Sequence, residues 1–122
     1  MFSNKYSDIT KKIYDLVANV EIKKIAKISE EIIRIKDLNK KLIIAGNGGS
    51  HAIAEHISTD ISRTLSLPAL CFSSTSLNTC FANDYKYQNS LSKYIQTFSN
   101  TGDLIMLISS SGESENMLNG AK

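Results

Sequence analysis

Lys41-Leu42-Ile43-Ile44-Ala45-Gly46-Asn47-Gly48-Gly49-Ser50 is the stretch whose reading decides the fold. Its first half is a short apolar run that stops at a glycine, which predicts a buried strand over 41–45. Its second half is a glycine-rich turn. Ser50 is placed to cap a helix that runs to about Arg63. Strand, glycine turn and helix together open an α/β unit.

Toward the C-terminus the same alternation repeats. Ala69 to Phe72 predicts a second strand, and a short helix is expected near Leu77–Phe81. Tyr87 to Phe98 predicts a longer helix. Leu104-Ile105-Met106-Leu107-Ile108 predicts a third strand, which runs into Ser109-Ser110-Ser111-Gly112-Glu113-Ser114 and then a helix from about Glu115. Strands this apolar, alternating with helices, predict a parallel sheet covered on both faces. Toward the N-terminus, residues 4–38 predict two amphipathic helices. The first carries Tyr6, Ile9, Ile13, Leu16, Val17 and Val20 at helical spacing, and the second carries Ile22, Ile25, Ile28, Ile32, Ile35 and Leu38. Stripes this wide need burial against the domain or a neighbouring subunit. The expected organisation is a single domain: a helical segment over 1–38 and an α/β core over 39–122.

The bulk properties agree with one modest globular core. The chain has 122 residues, 42% of them hydrophobic and 21% charged, with a formal net charge of +2. That charge is too small to predict a nucleic-acid or anionic-membrane partner. No apolar run is long enough to span a bilayer. The first residues, MFSNKYSDITKK, lack the apolar stretch of a signal peptide, so a cytoplasmic location is expected. Cys71 and Cys80 have no zinc, redox or disulfide spacing. Cys71, inside Ala69-Leu70-Cys71-Phe72, reads as a core thiol.

Ligands of parallel sheets bind beyond the carboxyl ends of the strands, and both loops just described fall there. Gly46-Asn47-Gly48-Gly49-Ser50 lets a ligand approach the main chain at a helix N-terminus, with Ser50 adding a hydroxyl, which suits an oxyanion. The second loop holds Ser109, Ser110, Ser111 and Ser114 around Gly112, more hydroxyls than a helix cap needs. Neither loop has the lysine of a Walker site, so no nucleotide cofactor is expected. A hydroxyl-and-amide cradle suits a sugar monophosphate.

His56 and Asp60 lie four apart on the predicted helix and share a face. Such a pair can be a surface pair, an acid and base, or two ligands of a divalent metal. His51, at the helix start, reads as a residue that caps or lines the loop. Asn83-Asp84 reads either as a turn or as a hydrogen-bonding pair for sugar hydroxyls.

Three segments, GNGGSHAIAEH at 46–56, FANDYKY at 81–87 and LISSSGESENML at 107–118, in this order and spacing, resemble the phosphoheptose isomerase family of SIS (sugar isomerase) domain proteins. The resemblance implies a three-layer SIS, flavodoxin-like fold. It implies interconversion of sedoheptulose 7-phosphate and glycero-manno-heptose 7-phosphate, a step toward lipopolysaccharide or capsule heptose. It also implies a cytoplasmic homo-oligomer, tetramer or dimer, with active sites shared between subunits, and zinc as a cofactor. Carried over residue by residue, Asn47, Gly48, Gly49, Asn83 and Asp84 contact substrate. Ser50, Ser109, Ser110, Ser111 and Ser114 hold the phosphate. His56 falls at a metal-binding histidine, and Asp60 at the catalytic, metal-binding glutamate. Both are expected to point at a mouth formed by Ser50 and the serine loop.

The sequence also departs from the family pattern. Asp60 is one methylene shorter than the usual Glu, Lys86 and Gln88 stand for the commoner Gly and Glu, and Glu113 stands for a frequent Asn. The family carries a Gln and a His in a helix beyond the point reached at Lys122, so the C-terminal part is expected to be missing. Binding without efficient turnover follows as the expectation. The alternative function is a non-catalytic phosphosugar-binding or regulatory SIS protein acting through protein partners. A weaker alternative is an isomerase of a hexose or pentose phosphate.

Overall fold

A computed structural model describes residues 2–122, with side chains from Lys5 onward. The elements run α1 (Phe2–Ala18), α2 (Ile22–Asp37), β1 (Leu42–Gly46), α3 (Gly49–Leu65), β2 (Ala69–Cys71), α4 (Thr75–Tyr85), α5 (Tyr87–Phe98), β3 (Leu104–Ile108) and α6 (Glu115–Gly120). Every strand expected from the sequence is present. The expected short helix is longer, running over Thr75–Tyr85, because Ser74 caps it by accepting from the Leu77 N–H at 3.4 Å. The chain divides into two compact units, one reaching Glu30 and one covering Glu31–Lys122. The division falls inside α2 rather than at residue 38. The physical reason is that Ile32 and Ile35, in the second half of α2, pack into the core of the sheet.

In the second unit the sheet is parallel, in the order β2-β1-β3. β1 is central, and the next two strands of the chain, β2 and β3, lie on opposite sides of it. That makes its carboxyl end a switch point, where open α/β sheets bind ligands. Because successive strand residues point to opposite faces, β1 feeds two cores. Ile43 and Ala45 pack with Phe72, Leu91, Tyr94 and Met117 under α4, α5 and α6. Leu42 and Ile44 pack with Ile35, Ala54 and Leu67 under α2 and α3. The result is the expected three-layer α/β sandwich. Phe72 and Tyr94 stack at 4.3 Å between ring centroids.

Two details set the ends of the sheet. At its amino edge the Lys41 ammonium meets the Asp103 carboxylate at 2.5 Å, and Asp103 is nearly inaccessible, with its side chain 3% exposed. Asp103 also accepts from the backbone N–H groups of Lys41 and Asn100, at 3.0 and 2.7 Å. At the carboxyl edge Gly46 pairs in register with Ile108. A Cβ on Gly46 would lie 2.5 Å from the Ser50 carbonyl carbon, so only glycine allows α3 to start this close to the strand.

In the first unit, the apolar residues of α1 and of the start of α2 are exposed, among them Ile9, Ile13, Leu16, Val17, Ile22 and Ile25. No helix among the described residues is long and apolar enough to cross a membrane.

Candidate functional site

The register Gly46↔Ile108 makes the loops that follow β1 and β3 leave the sheet side by side. Between the first of them and α5 lies a cavity of about 210 Å³. Asn47, Gly48 and His51 line it from the β1–α3 side, Asn78 from α4, Tyr87 and Ser90 from α5, and Asn116 from α6.

The β1–α3 turn is built differently from the sequence expectation. Gly48, at φ 53°, is the N-cap of α3, and no side chain caps it. Ser50 is therefore not the cap. It sits inside the first turn, with its N–H bonded to the Asn47 carbonyl at 3.0 Å. The physical reason is the turn's positive φ, which glycine adopts and serine does not favour. A helix start without a side-chain cap keeps its dipole end available to an anion.

Asn47 is held by a dense polar network. Its Nδ2 donates to Asn116 Oδ1 at 2.9 Å, and its Oδ1 accepts from Asn116 Nδ2 at 2.8 Å and from the Tyr87 hydroxyl at 3.0 Å. Asn116 is only 6% exposed. Beside the same cavity, His51 lies between two partners. Its Nδ1 is 3.9 Å from Cys71 Sγ, and its Nε2 is 3.7 Å from Glu55 Oε1. Burial, helped by the nearby Glu55 charge, pushes the Cys71 thiol up to about 11. Cys71 thus remains a protonated thiol, and His51 lines the loop as its position in the sequence suggests.

The serine loop is shaped by its own backbone. Ser109 Oγ accepts from the Gly112 N–H at 3.0 Å, and Ser111 Oγ accepts from the Glu113 N–H at 3.2 Å. Each of these hydroxyls keeps its O–H free to donate outward. Ser110 and Ser111 are exposed, and Ser109 and Ser114 are half-buried. Ser114 is the N-cap of α6 and makes no side-chain cap bond. The serines flank the cavity in the chain and are not among the residues lining it.

Four expected residues lie elsewhere or otherwise. His56 and Asp60 do form a pair, with Nε2 to Oδ2 at 3.3 Å, but the His56 side chain is 80% exposed and Asp60 47%. Neither lines the cavity. Helix phase explains this: α3 buries Ala54 and Ser58, and His56 is two residues from each, roughly 200° around the axis. Asp60 also takes an Arg63 guanidinium contact at 3.4 Å. Asn83 and Asp84 do not form a turn. They end α4, are exposed, and bond to each other at 2.9 Å.

Asn78, Tyr87, Ser90 and Asn116 are the polar lining residues that the sequence does not single out. Each is an ordinary polar residue on a helix, and only the packing of α4, α5 and α6 brings it to the carboxyl edge of β1. The segment 81–87 draws attention to Asn83 and Asp84, whereas Tyr87 is the residue that reaches the cavity.

Comparison with known proteins follows the same lines. The SIS domain family profile matches residues 5–122. A phosphoheptose isomerase of Clostridium acetobutylicum is 36% identical over 102 residues, covering 79% of this chain and 52% of its own length. A probable phosphoheptose isomerase of Thermoplasma volcanium is 34% identical over 108 residues, covering 84% of this chain and 55% of its own length. The chain thus spans about half the length of the curated relatives it matches. Among solved structures, phosphoheptose isomerase GmhA from Neisseria gonorrhoeae superposes with a TM-score of 0.88 at 24% identity, over 98% of this chain and 66% of that one. A phosphoheptose isomerase from Francisella tularensis gives a TM-score of 0.86, also at 24% identity, over 97% and 65%. At that identity the likeness speaks for the fold.

Proposed function

The chain belongs to the SIS domain family, and from that premise we propose that it binds the phosphate end of an open-chain sugar phosphate as a phosphoheptose isomerase, interconverting sedoheptulose 7-phosphate and glycero-manno-heptose 7-phosphate. The observation that carries this reading is the in-register pair Gly46↔Ile108, which starts the glycine loop and the serine loop next to each other. The uncapped start of α3 and the free hydroxyls of Ser50, Ser109, Ser110, Ser111 and Ser114 supply donors to the phosphate. The relatives' names give the substrate class.

Aldose–ketose isomerisation moves a proton between adjacent carbons and shuttles protons at the two oxygens. In this reading Asp60 is the carboxylate that moves the carbon-bound proton, and His56, 3.3 Å away, orients it. Asn83 and Asp84 hydrogen-bond the sugar hydroxyls. An exposed catalytic pair suits an active site completed by a second subunit. The exposed apolar residues of α1 and α2 support the same reading, in which the protein is a homo-oligomer, dimer or tetramer, in the cytoplasm. The reaction supplies heptose for lipopolysaccharide or capsule.

His56 and Asp60 supply two donors, whereas a stable zinc site uses three or four protein ligands. Among the described residues no group of three or more His, Cys, Asp and Glu could hold a metal ion. The pair by itself does not fit the ion.

Calorimetry with sedoheptulose 7-phosphate tests the phosphate assignment. Ser109→Ala and Ser111→Ala should each weaken binding by about 1–3 kcal/mol, the cost of losing a hydrogen bond to a charged group. Unchanged affinity in both variants sinks the assignment of the serine loop.

A further inference from the structure

Asn47 is the loop residue that a sequence reading places against the ligand, yet its side chain is nearly used up. An Asn side chain offers two lone pairs on its oxygen and two N–H donors. Both lone pairs of Asn47 Oδ1 are taken, one by Asn116 Nδ2 at 2.8 Å and one by the Tyr87 hydroxyl at 3.0 Å. One N–H is spent on Asn116 Oδ1 at 2.9 Å. A single N–H remains for any ligand.

The partner is the more informative residue. Asn116 lies in the first turn of α6, directly after the serine loop, and is almost completely buried. The two amides are 69 residues apart in sequence and close a reciprocal pair, each donating to the other. The two loops therefore share a bolt. If Asn47 is lost, the nearly buried Asn116 amide is left with unmatched polar groups, which is costly. Tyr87 ties α5 into the same point, so two helices, α5 and α6, meet the β1 loop at Asn47 Oδ1.

We propose that Asn116 is a positioning residue for ligand binding: its amide pair with Asn47 clamps the glycine loop to the helix behind the serine loop, so that the two loops act on a phosphosugar as one unit. The identity of the ligand rests on the function proposed above; the clamp does not.

A double-mutant cycle tests it, with sedoheptulose 7-phosphate as the probe and far-UV circular dichroism to confirm that each variant is folded at the working temperature. Asn116→Ala should weaken binding about tenfold, Asn47→Ala by at least as much, and the double variant should bind no more weakly than Asn47→Ala alone, because Asn47→Ala has already opened the clamp. Asn47→Ala lies on a partly exposed loop and breaks the same pair should Asn116→Ala not fold. A second arm needs no ligand. The N–H groups of Ser50 and His51, which close the first turn of α3 on the carbonyls of Asn47 and Gly48, should exchange with solvent about tenfold faster in Asn116→Ala.

Additive losses, with the double variant about tenfold weaker than Asn47→Ala alone, would mean two independent ligand contacts and overturn the proposal. So would unchanged affinity with only a lowered melting temperature, which marks a purely structural amide. A wild-type chain that binds no sedoheptulose 7-phosphate removes the phosphosugar reading and leaves the exchange arm to decide. Faster exchange at Ser50 and His51 then supports the clamp, and unchanged exchange refutes it.

Discussion

Lys86 joins α4 to α5 with φ 65° and ψ 150°, a backbone conformation at the margin of a region used almost only by glycine. A residue held there costs on the order of 1–3 kcal/mol. Glycine at the position relieves that strain but loses more backbone entropy on folding, about 0.5–1 kcal/mol. Lys86→Gly should therefore stabilise the chain by about 1 kcal/mol, read as a higher denaturant midpoint at unchanged slope; a lower midpoint contradicts the strain. The sequence carries the clue in plain form, since by the resemblance Lys86 stands for a commoner Gly. Other residues were less legible. Asn47 stood out because a glycine turn surrounds it. Asn116 did not, because its partner is 69 residues away and nothing local marks a buried amide. His56 and Asp60 were legible as a pair, since helical spacing alone puts them together. Their exposure was not, because it depends on which face of α3 meets the sheet.

Elements were read more surely than sites. Apolar runs of strand length and the two Gly/Ser loops located all three strands within a residue or so, and the helix over Tyr87–Phe98 matched at both ends. The sequence alone points to a helix shorter than Thr75–Tyr85. Its polar, Ser/Thr/Asn-rich sequence has weak helical propensity, and its stability comes from the Ser74 cap and from Leu77 and Phe81 packing on the core. Between elements, the joint of β1 and β3 at the amino edge carries a pH dependence. Burial alone pushes the Asp103 carboxyl up, but the Lys41 ammonium and the backbone N–H groups of Lys41 and Asn100 outweigh it and hold the group below its ordinary 3.8. A carboxyl lowered on folding adds stability that is fully present above that value and is lost as pH falls through the folded one. Acid titration should thus show unfolding that begins below about pH 4, and Asp103→Asn should flatten that limb. A variant with the same acid limb as wild type contradicts the assignment.

For the whole molecule, the exposed apolar residues of α1 and α2 are the feature that one chain leaves unexplained. Surfaces of this kind mark protein contacts. Light scattering at tens of micromolar should find a dimer or tetramer, and Ile13→Glu with Val17→Glu should shift it to monomer; a monomeric wild type refutes this. The ion pair at the far end of the sheet has a different reach. β1 and β3 are apolar on both faces, so alternation does not tell one alignment of the two strands from its neighbour. Lys41 and Asp103 stand directly before the paired residues Leu42 and Leu104, where the Leu104 N–H also bonds the Lys41 carbonyl. Buried ion pairs are poor sources of stability but can select one pairing over another. Here the pair works as an index mark. Set at one end of the strands, it decides which residues of the two loops face each other at the other end, roughly 16 Å away at strand rise. Replacing both members with apolar residues of similar volume, Lys41→Met with Asp103→Leu, should lower the melting temperature, because the Lys41 and Asn100 N–H groups lose their acceptor, and should also cost affinity for sedoheptulose 7-phosphate at temperatures where the variant is folded. If affinity survives intact, the alignment is held by something other than this pair. If it falls, the ligand site is tuned from the opposite edge of the sheet, by two residues that never touch the ligand.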